Sequence, residues 1–452
     1  MPDCPIRPVR SGLLSTLTKT PAPAPDLPLA PLRSLLLGLL LPLLSLLGAC
    51  TQSAETSAAD LGAASDQGAA PVDLLPFHAP LRELRSSDVT IAYPLPPARD
   101  ISHLIGGSTL GKYGRLVPLA AFSQIAYALD PRPTSTVSGV GMAAWLNLRL
   151  VGLRLDPCTG SRGDIPEASC RGQVRLVFQG VHAQDTGSAG DDGAIHVLYD
   201  VPRPELGLLM RELFDLTESE GGYTPGPLGV HPILARQGVW GSFAQRLKAL
   251  LIAHLGEDRV TRLTFFVRAD SLFSAWRFGL FDRSGTGFSA QFIATTRFME
   301  QQLLTKIPGI AGDIEGSTPT PTNDPDNLTI LLSGTVARAV DDTARQRALT
   351  AALRIENPLR HSPDTIDCLS CHVAMATRTF GEQRLGLSSQ GNPDLFTSTQ
   401  DLRFTAPVQP SLENLHALSY MGTELGINQR TANDSAVVAQ AMTVLLRQVA
   451  GQ

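Results

Sequence analysis

Residues 145–155 (WLNLRLVGLRL) and residues 173–179 (QVRLVFQ) alternate between apolar and polar side chains, at the two-residue period of a β-strand. A stretch rich in glycine, proline, serine and aspartate separates the two runs, which is typical of a hairpin with a long loop. Shorter strand signals recur at 88–93, 194–201, 259–267 and 275–281, and helical stretches lie at 204–218 and 240–255. Strands mixed with helices in this way predict an α+β main domain over residues 76–337.

The composition is that of a globular protein with a large apolar core. The chain has 452 residues, of which 43% are hydrophobic and 17% are charged, so a disordered polymer is excluded. Its formal net charge is −5 and it has no basic cluster. Nucleic acid is therefore not an expected partner.

An uncharged apolar run near the start of the chain predicts export. Residues 35–49 (LLLGLLLPLLSLLGA) follow Arg33 and end in small residues directly before Cys50. This is the pattern of the apolar region of a secretory signal. The run is shorter than the roughly 20 residues of a comfortable membrane span, and Pro42 lies inside it, so a transmembrane anchor is the weaker alternative.

The tetrapeptide Leu47-Gly48-Ala49-Cys50 resembles the lipobox of bacterial lipoproteins, in which the cysteine is diacylated and becomes the first mature residue. The resemblance implies that residues 1–49 are a lipoprotein signal peptide and that acylated Cys50 binds the lipid bilayer. It also implies a cell-envelope location. Thr51 after the cysteine favours the outer membrane, facing the periplasm or the exterior. Residues 50–75 are rich in Ala, Ser, Gln and Asp and are predicted to be a flexible tether.

Cys158 and Cys170 flank the loop of the predicted hairpin. In an oxidising exported compartment a disulfide between them is expected, and it would pin the hairpin. Closing a loop of this size stabilises a fold by roughly 3 kcal/mol in the chain-entropy model. Two free or buried thiols are the alternative.

Residues 368–372 (CLSCH) carry the C-x-x-C-H pattern of c-type haem attachment. Two thiols on the first turn of a helix can form thioethers to the two haem vinyl groups, and the adjacent histidine then faces the iron. Random placement would give about 0.002 such matches in a chain of this composition. The chain here resembles c-type cytochromes, over residues 338–452 at most. The resemblance implies one haem c, held by Cys368 and Cys371, with His372 as the proximal iron ligand.

Three other interpretations of this motif compete with haem attachment. A thioredoxin-like redox pair would follow an apolar strand, but residues 361–367 are polar and turn-like. A zinc site could join Cys368 and Cys371 to a distant His361 or His416, although His372 would then be unexplained. The third alternative is a purely structural disulfide between the two cysteines.

The second axial ligand of the iron decides between electron transfer and ligand binding. Met421, in a loop before an amphipathic helix at 435–450, is the leading candidate, and His361 and His416 are alternatives. Together with another amphipathic helix at 341–355, this order of elements is that of small monohaem cytochromes c. Two further methionines are poor candidates, because one lies a turn past His372 and the other on an apolar helix face: Met375 and Met442.

The middle region has no motif that points to chemistry. Its histidines lack the spacing of a metal site and are expected to be core or surface residues: His78, His103, His182, His196, His231 and His254. An apolar run at 328–334 (LTILLSG) is expected to be the last strand before the domain ends. The role of residues 76–337 cannot be inferred from these features.

The sequence thus predicts an α+β main domain with a disulfide-pinned hairpin, followed by a small, mostly α-helical, cytochrome c-like region at 338–452 that binds haem. The expected function is that of a membrane-tethered c-type cytochrome lipoprotein, which transfers one electron at a time with a redox partner that the sequence does not identify. The alternative is a cell-envelope binding or scaffold lipoprotein with a structural Cys368–Cys371 disulfide and no haem. Both expectations favour an electron carrier or a binding protein over an enzyme, without deciding that question.

Overall fold

The computed structural model describes residues 79–129, 144–157, 171–269, 275–305, 314–318, 328–405, 411–449 and 451. These residues belong to one compact unit. The signal peptide at 1–49 with Cys50, the tether at 50–75, and the loop with Cys158 and Cys170 lie outside the described residues. The lipidation and the hairpin disulfide therefore stay predictions.

The fold is built on a nine-stranded antiparallel sheet within the described residues. The strands of the chain are β1 (Thr90–Ala92), β2 (Leu110–Gly111), β3 (Gly114–Arg115), β4 (Leu148–Asp156), β5 (Gly172–Gln184), β6 (Gly187–Gly190), β7 (Gly193–Val201), β8 (Val260–Ala269), β9 (Ala275–Ser284), β10 (Gly287–Ala290), β11 (Glu300–Leu304), β12 (Leu418–Met421) and β13 (Glu424–Ile427). The sheet has the order β1-β4-β5-β7-β8-β9-β10, with β6 paired to β5 and β11 paired to β9. The mixed class and the strands predicted at 173–179, 194–201, 259–267 and 275–281 are confirmed.

Nine α-helices have both ends in the described part of the chain, and residues 144–147 are helical as well, at the start of the run predicted as a strand: α1 (Ser86–Val89), α2 (Leu119–Leu129), α3 (Arg203–Ser219), α4 (Pro232–Gln237), α5 (Ser242–His254), α6 (Gly334–Ala339), α7 (Asp342–Glu356), α8 (Cys368–Leu385) and α9 (Gln429–Val449). The four longer helices predicted from periodicity are confirmed as α3, α5, α7 and α9. None of the helices described is long and apolar enough to cross a lipid bilayer.

The strand predicted at 328–334 is wrong. Leu328–Leu332 forms a 3₁₀ helix, and α6 follows it. Leu328 and Leu331 are three positions apart, so they lie on one face of a helix with three residues per turn, and both side chains are fully buried. A short apolar run has the same appearance in a buried strand and in a buried helix, because periodicity alone does not separate them.

Alternation along the strands gives the sheet two different faces. On one face Tyr199 of β7 is buried and donates a hydrogen bond from its hydroxyl to the carbonyl of Leu116, at 2.5 Å. The other face is more polar. Four neighbouring strands contribute two residues each to this face: Arg175 and Val177 from β5, His196 and Leu198 from β7, Thr264 and Phe266 from β8, and Phe278 and Leu280 from β9. This second face is the one covered by residues from the C-terminal part of the chain.

The C-terminal part packs on the sheet rather than standing apart from it. The β12–β13 hairpin contacts β4 and β5, and α9 contacts α1 and α3. A single buried apolar cluster contains side chains from both parts, such as Leu176, Phe278, Leu418 and Met442. Residues 338–452 therefore share the core of the main domain, and they contain a β-hairpin besides their three long helices.

Glu356, at the end of α7, is a buried carboxyl group. Only 3% of the residue is exposed. Arg378 of α8 places its Nε 2.9 Å from Glu356 Oε2, but the desolvation of the carboxylate outweighs this ion pair and raises the pKa of Glu356 to about 7. An acid with a higher pKa in the folded state holds its proton more tightly when folded. The stabilisation that protonated Glu356 contributes is complete below the pKa of its carboxyl group in the unfolded chain. This stabilisation is lost as the pH rises through about 7, the pKa of the same group in the folded chain.

Glu356→Gln is therefore expected to flatten the pH dependence of stability. The amide stays neutral at every pH, so Tm should decline less between pH values of about 5 and 8 than it does in the unchanged protein. Melting curves across this range measure the effect. Glu382→Gln is the matched control, because Glu382 also pairs with Arg378 (3.4 Å) but is half-buried. Parallel pH profiles for the unchanged protein and Glu356→Gln would contradict the assignment.

Candidate functional site

The C-x-x-C-H motif lies on the first turn of α8, as predicted. Asp367 is the residue before the helix, and its Oδ1 accepts a hydrogen bond from the backbone N–H of Ser370 at 2.9 Å. The same oxygen accepts from Gln301 Nε2 at 2.8 Å, and Gln301 Oε1 accepts from the N–H of Leu369 at 3.0 Å. Gln301 is fully buried on β11. The backbone N–H groups of Leu369 and Ser370, which have no partner within the helix, thus both donate hydrogen bonds. These bonds hold the motif at a defined position beside the sheet.

Asp367→Ala should destabilise the protein by about 2–3 kcal/mol, because it removes a helix cap and also leaves the buried Gln301 amide without a partner. Asp341→Ala is the matched control. Asp341 caps α7 with the same geometry, accepting from Ala344 N at 2.7 Å, but at an exposed position, so about 1 kcal/mol is expected. Denaturant titrations give both free energies of unfolding. Equal losses in the two variants would show that the bond to Gln301 contributes nothing.

His372 is oriented by a backbone carbonyl. Its Nδ1 lies 2.6 Å from the oxygen of Leu415, and since a carbonyl oxygen only accepts, Nδ1 carries the proton. The ring rests on Phe266 and Phe278, with centroids 4.9 and 5.1 Å away. Burial lowers the pKa of His372 to about 4, so the imidazole is neutral. Its Nε2 has no hydrogen-bond partner among the described residues and keeps a free lone pair.

The two thiols of the motif are free and partly buried. Burial raises the pKa of Cys368 to about 12, and it raises the pKa of Cys371 as well. Thiol–disulfide exchange needs a thiolate, and redox-active C-x-x-C pairs lower the pKa of the attacking thiol. The environment therefore does not favour the thioredoxin-like interpretation.

A cavity opens between the motif and the polar face of the sheet. It is bounded by α8, by the first turns of α9 and by β5, β7, β8 and β9. Its volume is about 150 Å³, below the roughly 300–1,000 Å³ of small-molecule and cofactor sites, so a large cofactor would have to widen it. The motif contributes Cys368, Cys371 and His372, and the apolar wall includes Val177, Leu198, Phe266, Phe278, Leu280 and Ile366.

Four arginines lie at the mouth of this cavity: Arg154, Arg175, Arg262 and Arg430. Three of them have carboxylate partners, since Arg154 and Arg430 pair with Asp434 at 3.1 and 3.3 Å, and Arg262 pairs with Asp282 at 2.6 Å.

Arg175 differs from the other three arginines. It has no carboxylate within 4 Å in the described part of the chain, and its buried Nε has no partner. Burial, together with the charge of Arg154, lowers the pKa of Arg175 to about 10. A partly buried cation without a counter-ion is costly, so this position favours an anionic group in the cavity.

The distal-ligand candidates from the sequence lie in different places. Met421 is half-buried at the end of β12, paired with Glu424, and is not among the residues that line the cavity. His361 lies at the polar mouth, where its carbonyl accepts a hydrogen bond from Arg430.

His416 is 2% exposed, and its ring meets Phe266 and Trp276 edge-on without reaching the cavity wall. Met375 accepts from the backbone N–H of Gln429, and Met442 is fully buried in the core.

The zinc interpretation has no complete ligand set. Among the described residues, no three His, Cys, Asp or Glu side chains are grouped so that they could hold a metal ion. His416 directs Nδ1 to the Ser419 hydroxyl, at 2.7 Å, rather than to the thiols. A zinc ion at Cys368 and Cys371 would therefore lack the four ligands of a structural site.

Two residues of the cavity were missed by sequence reasoning. His196 was expected to be an ordinary core or surface histidine, but it lies on the cavity wall with its Nε2 buried and without a partner. Arg175 was not singled out at all. One feature of the sequence could have identified both residues. Each is a polar residue that the two-residue period places on one side of a strand, while the residues on the other side of that strand are apolar: Arg175 in QVRLVFQ and His196 in AIHVLYDV.

Comparisons with known proteins add no family to this description. No protein-family profile matches the chain, and neither a curated protein nor a solved structure matches it. The interpretation of the cavity rests on the motif at 368–372 and on the side chains that surround it.

Proposed function

We propose that Cys368 and Cys371 attach one haem c covalently, that His372 is its proximal ligand, and that the protein transfers single electrons at the surface of a lipid bilayer. The observation that carries the proposal is the state of His372. Its Nδ1 proton is held by the Leu415 carbonyl, no described residue forms a hydrogen bond with its Nε2, and the two thiols of the motif line the same cavity. This hydrogen bond fixes the tautomer that a metal ligand needs.

The residues present fit a haem in three ways. The cavity offers an apolar wall of aromatic and aliphatic side chains, as a macrocycle requires. The thiols lie three positions apart on the first turn of α8, as the C-x-x-C-H pattern of haem attachment requires. The guanidinium of Arg175 at the mouth donates to Gln173 Oε1 at 3.5 Å but has no carboxylate within 4 Å among the described residues, and its charge suits the carboxylate of a propionate chain.

When bound, haem would supply a one-electron couple at a potential that its ligands and surroundings set. The side chains around it have supporting roles. Phe266 and Phe278 exclude water from the His372 ring, and a dry, low-dielectric site makes nearby charges more effective. Arg175 provides a positive charge at the mouth, which favours the more negative, reduced state of a neighbouring group.

Absorbance of the purified protein tests the proposal. The full chain is produced in a bacterium with intact haem-attachment machinery, reduced with dithionite, and denatured on a gel that is stained for haem. A sharp α band and a haem stain that survives denaturation are expected. The same chain from a host without that machinery is the control and should be colourless. A colourless product from the competent host, where a reference cytochrome c is loaded, would support the scaffold alternative instead.

Cys50→Ala should abolish incorporation of labelled palmitate and should shift the protein from the membrane fraction to the soluble fraction. Each buried methylene of an acyl chain contributes about 0.8 kcal/mol, so the loss of all acyl chains removes the anchor. Cys4→Ala, within the predicted signal peptide, is the matched control and should be labelled normally. Unchanged labelling of Cys50→Ala would contradict the lipobox interpretation.

A further inference from the structure

His196 occupies the middle of the sheet, directly beneath the cavity. It lies on β7, opposite Val177 of β5 and Thr264 of β8. Both of these neighbours also line the cavity. Because β7 is paired on both sides, the backbone of His196 is held in place, and its side chain is presented to the same space as the C-x-x-C-H motif.

The imidazole of His196 lacks the partner that a buried polar group needs. Its Nε2 is buried and forms no hydrogen bond with the described residues. Leaving such an atom unpaired in a buried site is unfavourable. Burial first, and then the positive charge of Arg175, hold the pKa of His196 well below its usual value. The ring is therefore neutral at physiological pH, and a neutral imidazole keeps one nitrogen lone pair, which is the form that binds a metal ion.

His196 and His372 are close neighbours around one aromatic ring. The centroid of Phe266 lies 6.2 Å from that of His196 and 4.9 Å from that of His372. The two imidazoles come from separate structural elements, the sheet and α8, and both border the same cavity. Both imidazoles are thus available to one group bound in the cavity.

The other candidates do not combine these properties. His416 also has an Nε2 without a partner, but it does not line the cavity. Met421 is at the end of β12, and it does not line the cavity either. Among the described histidines other than His372, only His196 both lines the cavity and has a buried ring nitrogen without a hydrogen bond. None of the described methionines lines the cavity.

We propose that His196 is the second axial ligand of the haem iron, so that the iron is held by two histidines. This inference rests on the proposed function, since it needs a haem at His372. Ligation by two imidazoles predicts a low-spin, six-coordinate ferric form without the sulfur-to-iron charge-transfer band of His/Met ligation. It also predicts a lower reduction potential than a His/Met site, because a methionine ligand raises the potential.

Electron paramagnetic resonance and near-infrared magnetic circular dichroism of the ferric holoprotein test this ligation. The unchanged protein should show the spectrum of two imidazole ligands. His196→Ala should convert most of the haem to a high-spin form, and added imidazole should restore the low-spin form. His196→Met should introduce the sulfur-to-iron band and raise the potential. His416→Ala and Met421→Ala are the matched controls, and both should keep the spectrum of the unchanged protein.

The outcomes separate the two proposals. A coloured protein whose unchanged form is high-spin or shows His/Met ligation would overturn the role of His196 and leave the haem in place. The role of His196 would also be overturned, with the haem left in place, if His416→Ala changed the spin state and His196→Ala did not. A colourless unchanged protein from a competent host would overturn the proposed function itself. The spectrum of the unchanged protein decides the matter even if His196→Ala fails to fold.

Discussion

The double variant Cys368→Ala, Cys371→Ala is expected to lose all covalently attached haem. Thioether bonds need both sulfur atoms, and the two cysteines are the only described residues that supply thiols to the cavity. His372 remains in the variant, so haem that binds without thioethers is removed by acidified acetone, whereas thioether-linked haem is not. The measurement is the ratio of haem to protein after this extraction.

The chain contains its own control for this experiment. Cys158→Ala, Cys170→Ala changes two other cysteines in the same exported protein and should leave the haem content unchanged. Circular dichroism of both variants separates loss of haem from loss of folding. If Cys368→Ala, Cys371→Ala kept haem through the acid extraction, thioether attachment at this motif would be refuted.

Phe266→Ala is expected to cost about 3–5 kcal/mol of stability, which is typical of removing a buried aromatic ring. Phe266 is 2% exposed and lies on β8 in the middle of an aromatic group. Its ring centroid is 6.0 Å from that of Trp276, and it contacts His372 and His416 at 4.9 and 5.1 Å. The substitution therefore removes packing from the core and also the support beneath the ring of His372.

Urea titration of the holoprotein measures this loss as a change in the free energy of unfolding. Phe292→Ala is the matched control, because Phe292 is 61% exposed and its removal should change stability by less than about 0.5 kcal/mol. A loss in Phe266→Ala no larger than that of the control would mean that the ring does not support the core.

Local pattern predicted most of the elements correctly. The alternation in QVRLVFQ and AIHVLYDV placed β5 and β7, because a strand with one apolar face and one more polar face shows a two-residue period. The motif at 368–372 was also placed on the first turn of a helix, where Asp367 acts as the cap. The run at 328–334 failed, since a few consecutive apolar residues satisfy a strand and a buried 3₁₀ helix equally well.

The sequence by itself thus determined the mixed class, the positions of the main strands and helices, and the place of Cys368, Cys371 and His372 on the first turn of a helix. Only the tertiary structure decided what surrounds them. His196 and Arg175 are more than 170 residues from His372 along the chain, and strand order and register bring them to one cavity. Met421 is much nearer in sequence, but β-hairpin pairing directs it elsewhere. The physical reason is that local propensity depends on neighbours within a few residues, whereas a binding cavity depends on which distant strands pair and which face each side chain takes.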